Sequence, residues 1–173
     1  TGTVSAMGGI SGPIVNAGAG RFSATSLGNS SAFLNQDTAQ LIVSIFRSRG
    51  LGFSGLTSLT NTSTAAVGVD VTGGGTLSIN GPVTNSGAIR IENFSSLIAA
   101  SVDNQAAGTI VVVAGGKATG DLSNAGAVGN NGIYVANAAN SGFITNNLTW
   151  TGAISNAGTF RNNAGATVSG LLT

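Results

Sequence analysis

The chain has 173 residues, no Cys, no His, and only 6% charged residues, with six basic and five acidic side chains leaving a net charge of +1. Without Cys or His there is no disulfide framework, thiolate site, Ser-His-Asp or Cys-His catalysis, or ordinary zinc site to propose. The near-zero charge leaves no electrostatic footprint for nucleic acid or anionic lipid. With 42% hydrophobic residues, 28 Gly and only two Pro, the chain carries enough aliphatic surface to fold, behind a surface of Ser, Thr, Asn, Gly and Ala.

The chain opens Thr1-Gly2-Thr3-Val4, with neither an initiator Met nor a basic-then-apolar signal, and so reads as a processed or excised piece of something longer. Residues 1–36, with Ile14-Val15 and scattered Gly, predict irregular β structure. Thr38 to Arg49 is the one helix candidate. Asp37 and Gln40 resemble a capping box, Arg47 and Arg49 sit where a helix dipole favours cations, and Gly50 is placed as a stop. Leu41, Ile42, Ile45 and Phe46 would share one helical face, as cover for the domain's own core or as a docking stripe. A strand is the alternative, because Ile42, Val43 and Ile45 are β-branched.

Gly50-Leu51-Gly52-Phe53-Ser54-Gly55 matches G-x-G-x-x-G, but no strand-to-helix context surrounds it, so a loop is expected rather than a nucleotide site. From about residue 56 a regular pattern begins. Val67-Gly68-Val69-Asp70-Val71 and Gly75-Thr76-Leu77-Ser78-Ile79 alternate as half-buried strands do, with Gly73-Gly74-Gly75 as the turn between them. The Thr60-Asn61-Thr62-Ser63-Thr64 cluster reads as turn or edge chemistry. Flat Thr arrays of the ice-binding kind need Thr at equivalent places on successive repeats.

A Gly-centred element then recurs every 16 to 21 residues: Asn85-Ser86-Gly87, Ala106-Ala107-Gly108, Asn124-Ala125-Gly126, Asn140-Ser141-Gly142 and Asn156-Ala157-Gly158, each followed within two residues by an aliphatic or aromatic side chain. Beside it runs an aliphatic residue two before an Asn: Val83-x-Asn85, Val102-x-Asn104, Leu122-x-Asn124, Val135-x-Asn137 and Ile154-x-Asn156, with Leu59-x-Asn61 as an earlier copy. Each unit reads as a short strand, a turn and another short strand, with Gly supplying positive φ and Asn serving turns. Stacked units would also let Asn side chains form an amide ladder along the axis. Leucine-rich repeats have similar periods but need dense Leu; a β-sandwich is the bland competitor. The expectation is an all-β parallel β-helix (β-solenoid) over 56–173, preceded by an irregular segment 1–55 with one short α-helix at about 38–49.

Reactive groups are few. Asp37, Asp70, Glu92, Asp103 and Asp121 are the acidic set. A polysaccharide lyase or hydrolase would want carboxylates stacked at one repeat position. Asp103 follows its aliphatic anchor, Asp121 precedes its own, and Glu92 lies nine residues after Val83, so they do not align. Gly115-Gly116-Lys117-Ala118-Thr119-Gly120-Asp121 has the wrong spacing for a calcium-binding repeat. Sequons at Asn29, Asn61, Asn93 and Asn147 are expected by accident in a chain this rich in Asn, Ser and Thr. No catalytic, cofactor or metal residue is expected.

The stretch from Asn156 through Gly165 to Gly170, with Leu122 to Val128 and Val83 to Ile89, resembles the low-charge, Cys-free repeats of bacterial autotransporter passenger domains over about residues 56–173. The resemblance implies a right-handed β-helix exported through the outer membrane and displayed at the cell surface, often as an adhesin or virulence factor. Its partners would be a host surface protein or glycan, or other passengers in biofilm, without nucleic acid and without membrane insertion of this segment. A carbohydrate-active enzyme and a self-assembling extracellular filament subunit are the competing classes.

Overall fold

The computed structural model describes residues 3–6, 12–24, 32–44 and 53–173. All regular elements among them are β-strands, and every pairing is parallel. The chain winds as a β-solenoid. Each full coil contributes one strand to a nine-stranded sheet, here the first face, and then crosses a larger bent sheet that forms the second and third faces. Thr76–Asn85 and Ser96–Asn104 traverse both of those faces, with a register shift between Ala99 and Ser101 where the sheet bends. In later coils the bend separates the strand into two, Ile133–Val135 and Ala138–Asn140.

Period-two alternation puts one row of side chains inside and the next outside. In Thr76–Asn85, Leu77, Ile79, Val83 and Asn85 are buried, while Asn80 and Pro82 are exposed. The inward columns are continuous: Leu41, Val69, Ile89, Ile110, Val128 and Ile144 stack in register along the first face. A single coil has no opposing layer to bury these side chains, so the core exists only through stacking at about 4.8 Å per coil.

The structure corrects the helix at 38–49. Gln40–Ser44 is a strand of the first face, paired with Arg21–Ala24 and Val69–Thr72, and it buries Leu41 and Val43. Residues 45–49 lie outside the described residues. Asp37 is a turn residue with φ of 58°, not a helix cap, and its Oδ2 accepts a hydrogen bond from Gly18 N at 2.9 Å. The β-branched pair Ile42-Val43 and two waiting sheet neighbours outweigh the capping pattern.

Parallel stacking also runs below residue 56. Ile14–Asn16 pairs with Ala32–Asn35, which pairs with Ser58–Asn61. Phe22 and Phe33 meet edge to face inside, with centroids 5.2 Å apart.

Motif glycines play a different part from the expected one. Gly87, Gly108, Gly126, Gly142 and Gly158 do not adopt positive φ. A Cβ at Gly142 would overlap the carbonyl oxygen of Gly126, and one at Gly158 that of Gly142. Glycine is required there because successive corners stack backbone on backbone.

Candidate functional site

Asparagine is the main buried polar residue, and it forms a ladder. Asn16, Asn35, Asn61, Asn85, Asn104, Asn124, Asn140 and Asn156 follow one another at the end of the third face. Each Nδ2 donates to the Oδ1 of the next at 2.6–3.0 Å, always in the direction of the C-terminus. The same Nδ2 of Asn124 also reaches the carbonyls of Gly126 and Phe143 at 3.2 Å. One amide thus closes its own corner and ties it to the next coil. The Val135-x-Asn137 match is out of register: Asn140 is the ladder residue, two after Ala138, and Asn137 is exposed. Asn61, buried in the ladder, is inaccessible as a glycosylation acceptor.

A second ladder replaces aliphatic packing in the later coils. The inward column Val71, Ile91, Val112 continues as Asn130, Asn146, Asn162. Asn130 and Asn146 each donate onward at 2.7 Å, and Asn130 Oδ1 accepts from Gly132 N at 3.2 Å. This amide closes a tighter corner than the one after Val112, and the spacing between successive ladder residues falls from 20 to 16. With an inward aliphatic lost from each such coil, Tyr134 and Trp150 fill the core, stacked at 4.6 Å. Trp150 Nε1 donates to Ala136 O at 3.2 Å. Tyr134 OH is buried without a partner, and burial pushes its ionisation far above the usual phenol range.

Among the described residues the interior polar groups are structural. The outer side of the third face holds a groove of about 540 Å³ spanning five coils, a volume within the usual range for ligand sites. Its outward pairs are Ser101 and Asp103, Asp121 and Ser123, Asn137 and Ala139, Ala153 and Ser155, then Leu171 and Thr173. Small side chains leave the sheet accessible between them.

Two of the five carboxylates open here. Val102 pairs with Leu122, so Asp103 sits opposite Ser123 and Asp121 opposite Ser101, diagonal on adjacent coils. Counting from the aliphatic anchors separates them by two positions, but parity puts both on the same outer face. Asp121 Oδ1 accepts from Asn137 N at 3.1 Å and from Asn137 Nδ2 at 3.4 Å. Asp103 Oδ2 accepts from Gln105 Nε2 at 3.4 Å. Both aspartates are exposed.

The remaining acids lie elsewhere. Asp37 ties its turn to the turn at Gly18 on the preceding coil. Asp70 lies on the outside of the first face, in register with Ile42 and Arg90, and Glu92 pairs with Arg90 in the one ion pair among the described residues. Asp70 Oδ1 is buried without a hydrogen-bond partner. Burial, with the Glu92 charge adding to it, raises its pKa above the ordinary 3.8, against the opposing charges of Arg90 and Arg21. Of the Gly50–Gly55 string, residues 50–52 lie outside the described residues and Phe53–Leu56 is a strand.

No group of His, Cys, Asp and Glu among the described residues could hold a metal ion, and no helix there is long and apolar enough to cross a membrane. Comparison of the chain with protein-family models, with curated proteins and with solved structures found no match in any of the three.

Proposed function

We propose that the chain is a structural and adhesive module of the bacterial cell surface, the passenger portion of an autotransporter wound as a right-handed coil. The observation that carries this reading is the division of polar chemistry between inside and outside. Interior polarity is consumed by amide ladders that hold coils in register. The described exterior carries few charges, mixing Ser, Thr, Asn and Ala with scattered exposed hydrophobics such as Phe94 and Phe143, and a groove crosses five coils of its third face. A Cys-free fold whose coils touch only their neighbours can cross a membrane unfolded and assemble coil by coil afterwards. Parallel crossover connections are right-handed in about 98% of cases, which favours that hand.

The test is display. Fused ahead of an autotransporter β-barrel in a Gram-negative host, the chain is expected on the surface of intact cells, detectable by antibody and removable by external protease. Those cells should attach to surfaces or to one another more than cells carrying the barrel alone. A chain that is exported and folded yet confers no attachment removes the adhesive role.

A carbohydrate-active enzyme is the second reading, favoured by the two carboxylates of one groove. Strand spacing and a two-residue offset put the Asp103 and Asp121 backbones about 8 Å apart. Loss of polysaccharide cleavage in both Asp103→Asn and Asp121→Asn would replace the adhesive reading with this one.

A further inference from the structure

We infer that the groove on the third face binds a linear glycan carrying free amino groups, an amino-sugar polymer laid along the solenoid axis. The inference rests on the adhesive reading and names the ligand class of that surface. Charge comes first. The groove's charged lining residues are Asp103 and Asp121, both exposed and neither in an ion pair. Lys117 and Arg161 lie on other faces, and Arg90 is held by Glu92. Two unneutralised carboxylates in one groove call for cationic groups on whatever fills it.

Shape and hydrogen bonding then choose between a basic peptide and a basic glycan. An extended peptide brings N–H and C=O groups that need partners. The floor of this groove is a sheet face whose own backbone groups are spent between coils, so it cannot add a strand there. A glycan brings hydroxyls instead, and the hydroxyls of Ser101, Ser123 and Ser155 answer them. The methyl groups of Ala139 and Ala153 give sugar C–H faces something apolar to rest on.

The probe is a β-1,4-linked glucosamine hexamer, titrated calorimetrically against the purified chain. Its fully N-acetylated counterpart and hexalysine separate sugar shape from charge. Expected is saturable binding of the glucosamine hexamer that weakens with salt. It should be at least tenfold weaker for the acetylated hexamer and for the double variant Asp103→Asn/Asp121→Asn. Ala139→Trp, an exposed substitution that fills the groove, should abolish it while the circular dichroism spectrum and melting temperature stay unchanged. Three results overturn the inference: no binding by the native chain, binding indifferent to both variants, or hexalysine bound as tightly as the glucosamine hexamer. Attachment by displayed cells is scored in parallel. If those cells still adhere through the double Asn variant, the groove assignment fails alone; if the native chain never adheres, the adhesive reading fails with it.

Discussion

The early and late coils share one stacking scheme and differ in everything between the strands. Successive ladder asparagines are 19, 26 and 24 residues apart from Asn16 to Asn85, but 16 apart from Asn124 to Asn156. The hydrogen bonds do not register the difference: Asn35 to Asn61 is 3.0 Å and Asn124 to Asn140 is 2.7 Å. Between Asn61 and Asn85 the extra residues sit at a corner, 62–68 against 125–126 in the later coil, where added length costs only slowly growing loop entropy. Strand register admits no such slack, since a one-residue slip would turn each Asn outward and each aliphatic with it. Coil length is therefore a property of corners, and the ladder is the property of the fold.

The hardest test of that comparison is Asn124→Asp. The Nδ2 it replaces faces only acceptors, Asn140 Oδ1 and the carbonyls of Gly126 and Phe143. A carboxylate there should cost about 3–5 kcal/mol at neutral pH. Repulsion and burial raise the folded-state pKa of the new acid, so the loss should grow as pH rises above the ordinary aspartate range and shrink in acid, measurable by denaturant melts across pH. Next is Gly142→Ala, whose methyl would enter the Gly126 carbonyl. A loss of about 1–3 kcal/mol is expected, as for overpacked sites.

Asn35→Ala and Asn140→Ala test whether the two regions are equivalent. Each takes the ladder donor from the Oδ1 of the next Asn, Asn61 or Asn156, while the preceding Asn keeps its backbone carbonyl partners. Losses of about 1–3 kcal/mol per orphaned group should be similar at the two sites. A negligible effect at Asn35 would confine the structural ladder to the later coils. Tyr134→Phe goes the other way. Its hydroxyl is buried without a partner, so removing it should stabilise the late coils by up to about 1 kcal/mol, visible as a higher melting temperature.

The smallest effect is expected at Asp70 in the early coils. A carboxyl whose pKa is raised on folding makes the folded state bind more protons than the unfolded one. Stability therefore falls as pH rises from the ordinary aspartate value, 3.8, through the raised one. Asp70→Asn should flatten that part of the pH profile and raise the melting temperature slightly at neutral pH. An unchanged profile would show that Asp70 is ionised without penalty.

Residues alone were enough for the parallel solenoid and for the ladder. Asn and Gly recur at fixed offsets from inward aliphatics, and a column of identical amides can satisfy itself only by stacking. The same signal exists in Ile14-x-Asn16 and Phe33-x-Asn35, but unequal corners obscure it as a period. Local pattern misled at Gln40–Ser44, where a plausible cap and an apolar stripe suggested a helix until two neighbouring strands claimed it. It misled again at Val135-x-Asn137, where a corner residue imitated a ladder residue three positions before the true one at Asn140.

The groove belongs wholly to the tertiary structure. Asp103 and Asp121 are 18 residues apart with different offsets from their anchors. Only the register of Val102 on Leu122 places them diagonally on one outer face, above a floor that later coils supply. Sequence periodicity determines which side chains must be inside, because burial constrains them coil after coil. Which exposed side chains meet is decided by stacking register and corner geometry, on which the period by itself is silent.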